Sequence, residues 1–386
     1  MPKEIQFKEI IPSKDSLYYK KEMIVNEKKV ITPVKTIDVS KLKNEFQIND
    51  KSKTFYEIYK RVTEESLKNI ISNTDRFEYS LNTLMNKIGD KFRITFIEFD
   101  GKWYPTKKNL EFLLDITYEY SDMTTIPLIK GLRSKLISEK EFSKFKKFLI
   151  ESLDIINTLN FKPIIGLIPF DRTFDNELIK FYRKHDIECF AIDFDGKNPR
   201  SHKATIRSIM RNLKQNELLG NSVIYGINIK PGIFNKGKDV IEAKDIISFG
   251  YGIDILGESH VIPKRKKEVW DKIKISKDSR YRIFIKNDYG YYKVKSDKIR
   301  KNYPKDTEIK FENLLKFENN PEKRTLIQKL INMEQKGLEC INLREKIENE
   351  KIEDYISKKK NVNKISIKDM RGIKKEVFHQ TILTKY

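Results

Sequence analysis

The sequence predicts an α/β fold built on a parallel sheet. The chief observation is a run of short apolar segments that alternate with longer amphipathic ones, the pattern of βαβ units whose strands are covered on both faces. A second is the absence of the Gly-rich turn of a dinucleotide fold and of a phosphate-binding loop. A third is bulk: 386 residues, 38% hydrophobic and 35% charged, suffice for a sizeable core beneath a highly charged surface.

Taken in order, the chain opens with strand-like pieces such as Lys29–Val34, and "SKTFYEIYKRVTEESLKNII" then has the apolar spacing of an amphipathic helix. The regular alternation follows. "FRITFIEF" (Phe92 to Phe99) is a buried strand followed by helical "KNLEFLLDITYEY", and "TTIPLIKG" is a strand before the long helix "SEKEFSKFKKFLIESLDIINTL". "PIIGLIPF" pairs with helix "NELIKFYRKH", "IECFAIDF" with helix "SHKATIRSIMRNLK", and "SVIYGINI" and "YGIDIL" complete the series. Six such strands fit an open doubly wound sheet or a closed barrel. The two missing fingerprints favour a (βα)8 TIM-like barrel, its remaining strands lying in the N-terminal region. The barrel is expected over residues 1–262. Residues 263–386 are expected to form a basic hairpin and a helical extension packed on it: "RYRIFIKNDYGYYKVK" turns at Asn287–Gly290, and Glu322 to Lys351 has helical apolar spacing.

Lys and Arg outnumber Asp and Glu by 78 to 56, a formal charge of +22. That surplus favours a polyanionic partner, because each phosphate contact releases condensed counterions. Lys264, Arg265, Lys266 and Lys267 form the densest cationic run near the barrel's end and are the expected nucleic-acid contacts. Two cysteines, Cys189 and Cys340, exclude a disulfide scaffold, and four scattered histidines lack metal-ligand spacing, so neither metal nor cofactor is expected. With no leader sequence at Met1 and no long apolar run, a cytoplasmic protein without a membrane partner is expected.

A parallel barrel gathers its chemistry where strands end. The residues there are Glu98 and Asp100, Lys130, Asp171, Asp193, Asn228, Asp254 and Glu258. Each acid also has a structural reading as a helix cap or loop ligand, strongest for Asp171. Asp100, Asp193 and Asp254 recur at equivalent places on different strands. Converging carboxylates suit acid/base work, or attack on a sugar carbon that develops positive charge.

The succession "PIIGLIPFDR", "IECFAIDFDG", "SVIYGINIKPG", "YGIDILGE", with "KKVITPVKTIDVSKL" near the start, resembles the tRNA-guanine transglycosylase superfamily, including its DNA-modifying branch. The resemblance implies a (βα)8 barrel that exchanges a guanine for a 7-deazaguanine base in tRNA or DNA through a covalent glycosyl-carboxylate intermediate. It makes Asp100, in "IEFDG", the counterpart of the family's acid/base aspartate. The family's nucleophile position is occupied by Gly257, which leaves Asp254 or Glu258 for that role. Asp171 and Asp193 stand where the family recognises its base, with Asn228 and Trp103 as further substrate contacts. The family's zinc-binding cysteines are absent. The alternative expectation is a catalytically degenerate nucleic-acid-binding subunit that partners an active transglycosylase, and the chain is expected as a homodimer or heterodimer.

Overall fold

In the computed structural model of the protein, residues 5–159, 162–235, 237–261 and 279–378 are described. The basic run Lys264–Lys267 lies outside them.

The fold is mixed α/β with parallel sheets. At the N-terminus, β1 (Gln6–Pro12), β2 (Tyr19–Val25) and β3 (Lys28–Thr32) form an antiparallel sheet. β4 (Val34–Lys35) and β5 (Ile37–Asp38) follow, and then β6 (Phe55–Thr63) and β7 (Phe92–Asp100). β8 (Thr124–Thr125), β9 (Leu128–Ile129), β10 (Ile164–Pro169), β11 (Cys189–Asp193) and β12 (Val223–Ile227) continue the alternation. After them come β13 (Val240–Glu242), β14 (Ile255–Leu256) and the hairpin β15 (Tyr281–Ile285) and β16 (Gly290–Val294).

One parallel sheet runs β4-β14-β12-β11-β10-β8 and a second runs β5-β6-β7-β9. Their edges are neighbours in the chain: Thr36 alone separates β4 from β5, and Ile126 and Pro127 separate β8 from β9. At Thr36 the chain changes partner, its N–H bonding Leu256 O at 3.1 Å before Ile37 pairs with Tyr56. Pro127 has no N–H to offer a ladder, which suits a break there.

The predicted strands beginning at Phe92, Ile164, Cys189 and Val223 are present, and so are the helices between them, Lys107–Glu119, Glu139–Leu159, Asp175–Lys184 and Lys203–Gln215. The stretch expected as one helix, "SKTFYEIYKRVTEESLKNII", differs. Its first half is β6, and only Glu64–Ser72 is helical, opened by a capping box between Thr63 and Ser66. Nine residue pairs bind β6 to β7, from Phe55↔Phe92 to Thr63↔Asp100. That ladder overrides the helical spacing of Phe55, Tyr59 and Val62. The tail "SIKDMRGIKKEV" belongs to a helix, Lys364–Phe378.

The helix Pro321–Glu348 ties the C-terminal hairpin to the parallel sheets. Gln328 Oε1 accepts the Arg282 N–H at 2.7 Å, and Asn332 accepts the Phe284 N–H at 2.8 Å, so side chains satisfy an edge of β15. At the helix's other end, Arg344 donates to Ile31 O on β3 at 2.8 Å. Lys336 pairs with buried Asp245 at 2.7 Å. No helix among the described residues is long and apolar enough to cross a membrane.

Asp254 precedes β14 and therefore lies at the N-terminal end of the parallel strands, opposite the end expected for a working acid. Its Oδ2 accepts from Lys21 Nζ on β2 at 2.8 Å and from the Ile224 N–H at 2.9 Å, and both side chains are 1% exposed. Burial raises its carboxyl, and the Lys21 ammonium opposes that. The pair clamps the N-terminal sheet to β12 and β14. Removing one partner strands a buried charge, so Asp254→Ala is expected to lower unfolding free energy by about 3–5 kcal/mol. The double change Lys21→Met with Asp254→Leu is expected to cost less than either single one, measured by denaturant unfolding.

Candidate functional site at the C-terminal strand ends

Because the sheets are parallel, the ends of β6, β7, β11, β12 and β14 face the same way, and polar side chains converge there. The anchor is Glu57, the third residue of β6 and fully buried. Its Oε2 accepts from the Tyr225 hydroxyl on β12, from the Thr36 hydroxyl at 3.1 Å and from the Glu258 N–H at 3.1 Å. Its Oε1 meets His260 Nε2. Burial alone would raise this carboxyl. The hydrogen bond and charge of His260, with Lys35 and Tyr225, outweigh burial and hold it at about 2.

His260 is fixed on three sides. Its ring stacks on Tyr59, centroids 3.7 Å apart and planes within 5°. Its backbone N–H donates to Asn228 Oδ1 at 2.8 Å, and its carbonyl accepts from Arg61 at 3.3 Å. Arg61 is also paired with Glu98 on the neighbouring strand, as the register Arg61↔Glu98 dictates.

Asn228 follows β12 with φ +62°, a left-handed conformation that non-glycine residues adopt at a cost. Both ends of its amide are used, since Nδ2 donates to Asp193 Oδ1 at 2.9 Å. Asp193 closes β11 and also accepts the Asp195 N–H at 3.0 Å on the same oxygen. Burial pushes its carboxyl up to about 6, against those two hydrogen bonds, and the charges of Asp195 and Glu98 add to the rise. A carboxyl so tuned exchanges protons near neutral pH.

Of the sequence candidates, the structure brings together Asp193, Asn228 and the backbone of Glu258, whose N–H donates to Glu57 and whose carbonyl accepts from the Asn228 N–H. Glu258 forms an ion pair with buried Lys35. Asp100 ends β7, two residues beyond Glu98, and pairs with Lys130. Asp171 fills a loop role, its Oδ1 accepting from Thr173 N at 2.9 Å and its Oδ2 from Arg133 at 3.3 Å. Trp103 stands 58% exposed beyond Asp100, with the Lys102 and Lys144 ammoniums 5.6 and 5.2 Å from its ring. Asp254 stays apart at the other end of the strands.

Gly257, where the resembled family carries its nucleophile, is sterically closed. A Cβ there would sit 2.5 Å from Tyr225 Cε1 and 3.0 Å from Glu57 Oε2. Sequence reading missed Glu57, Tyr59 and Arg61 because it placed them on a helix. The signal available was their alternation with Tyr56, Ile58, Lys60 and Val62.

No group of three or more His, Cys, Asp or Glu suited to a metal occurs among the described residues. A surface cavity of about 530 Å³, lined by Leu42, Lys43, Glu45 and Lys323 among others, shares no residue with the cluster. Its Lys323 and Glu45 are paired with each other.

Asp193 carries a stability prediction. Its folded value near 6 exceeds the unfolded one of about 3.9, so the folded state holds the extra proton between them and stability falls as pH rises through that window. Asp193→Asn has no charge to bury. It is expected to be more stable than the wild type by about 1–2 kcal/mol at about pH 8, the advantage vanishing below about pH 4. Paired urea titrations at the two pH values check this.

No protein-family model matches the chain, and no curated protein matches it significantly in sequence.

Proposed function

We propose that the parallel strands form one (βα)8 barrel and that the protein is a transglycosylase exchanging a purine base, guanine for a 7-deazaguanine, in DNA or tRNA. The barrel reading rests on the two chain-adjacent edge pairs. Bridging Thr36 and the Ile126–Pro127 step joins the two parallel sheets into a ring of eight strands. The C-terminal hairpin and the helix Pro321–Glu348 then pack outside it.

The observation that carries the functional reading is Asp193, a carboxyl raised to about 6 in a hydrogen-bonded cluster at the C-terminal strand ends. In this reading Glu258 is the nucleophile. Its carboxylate attacks the sugar C1′, the bond from C1′ to the base nitrogen breaks, and the bonding pair leaves with the base. Asp193 gives that base its proton. Lys35 keeps the Glu258 carboxylate paired until it reacts. The net charge of +22 supports a polyanionic substrate, and exposed Trp103 with its lysines offers a stacking surface for an extruded base.

A second reading, a non-catalytic nucleic-acid-binding subunit, is favoured by one observation, the closed Gly257 position.

Incorporation of labelled guanine into duplex DNA and bulk tRNA separates the two. The proposal predicts incorporation into one polymer, reduced roughly 100-fold or more in Asp193→Asn and abolished in Glu258→Gln, with Asp254→Asn retaining activity in whatever fraction folds. Salt-sensitive binding without incorporation supports the subunit.

A further inference from the structure

We propose that Glu57 and His260 form a carboxylate–imidazole couple, in which Glu57 fixes the Nε2–H tautomer of His260 and leaves Nδ1 as the proton acceptor of the site. The inference deepens the transglycosylase reading and rests on it for its rate arm alone.

The geometry assigns the two nitrogens different tasks. Glu57 Oε1 faces Nε2, and a carboxylate surrounded by donors can only accept there, so Nε2 carries the proton. Glu57 cannot turn away, since Tyr225, Thr36 and the Glu258 N–H hold its other oxygen. The imidazole cannot flip freely, because the Tyr59 ring covers one face and Asn228 pins the backbone. Nδ1 therefore keeps an available lone pair, on a side chain that is 13% exposed. A buried anion behind an imidazole stabilises the imidazolium that forms when Nδ1 accepts a proton. Here that anion is the most deeply buried carboxylate of the cluster.

The charged groups around His260 are four carboxylates and two cations. Glu57, Glu98 and Asp193 come from β6, β7 and β11, Arg61 from β6, Lys35 from β4, and Glu258 from its own segment. Arg61 is occupied by Glu98 and Lys35 by Glu258, so Glu57 acts on the ring with its own cations already engaged elsewhere.

In the exchange, an N–H proton of the incoming base passes to Nδ1. The N–H bonding pair becomes the new bond from the base nitrogen to C1′. The C1′–O bond to Glu258 breaks, and its pair returns to that carboxylate. His260 acts on the incoming base and Asp193 on the departing one. The two proton transfers are thus divided between two groups.

Two measurements test this on the full chain. Imidazole ¹⁵N spectra are recorded at about pH 9, where free histidines are neutral, and His260→Gln identifies the resonance. The Nε2–H tautomer is expected, with its preference weakened in Glu57→Gln. An Nδ1–H tautomer in the wild type overturns the couple whether or not exchange is observed. The second measurement is the rate of guanine exchange. His260→Gln is expected to lose roughly 100-fold. A folded His260→Gln that exchanges at the wild-type rate overturns the proton-accepting role. Absence of exchange in the wild type counts against the transglycosylase reading and leaves the tautomer result to decide the couple. If Glu57→Gln does not fold, the wild-type tautomer and His260→Gln suffice.

Discussion

A single buried carboxylate organises this molecule's functional end. Glu57 has no exposed surface, and an unpaired anion there would be prohibitively unfavourable. It is tolerated because four groups converge on it, from Thr36 between β4 and β5, from Tyr225 on β12, and from Glu258 and His260 after β14. Those partners lie on or beside the sheet that holds β4, β14 and β12, whereas Glu57 itself lies on the other. One charge therefore fixes how the sheet edges meet and how the loop after β14 leaves the strand. The loop's path in turn sets Asn228, through the His260 backbone, and Asn228 sets Asp193. This is a connected network in which every link has a named donor and acceptor.

Much of the fold was legible in the sequence because its central strands are apolar on both faces. "GLIP", "CFAI" and "VIYGI" read as strands without ambiguity, and the helices between them were placed by apolar spacing. β6 was not legible. The face that carries Phe55, Glu57, Tyr59 and Arg61 includes two charges, and those charges broke the apolar run that marks its neighbours. The same polarity, spaced for a helix, hid Glu57 altogether. A local sequence rule failed at the residues of the candidate site. The partner of His260 lies 203 residues away in sequence, a pairing that local spacing does not reveal. Asp254 misled in the opposite way, being an acid near a strand end whose strand begins later than the apolar run suggests, at Ile255.

The site also shows a tension between stability and chemistry. Asp193 is held where its charge is disfavoured, and Asn228 is held in a left-handed conformation to do the holding. Neither arrangement serves the core. Such local penalties persist where the surrounding structure over-determines them, as the Glu57 network does here. The Lys21–Asp254 pair at the other end of the strands is the contrasting case, a buried charge pair with every visible role in clamping the N-terminal sheet. Two carboxylates on one sheet thus differ in surroundings, one facing the Asn228 amide and the Asp195 N–H and the other a buried ammonium.

The most direct test of the account is to trap the intermediate. Protein mixed with end-labelled substrate polymer under exchange conditions is denatured, digested and mapped by mass spectrometry. The account predicts a sugar-linked adduct on Glu258 that forms with wild-type protein and is absent from Glu258→Gln. An adduct on Asp254, or exchange that proceeds undiminished in Glu258→Gln, would contradict it.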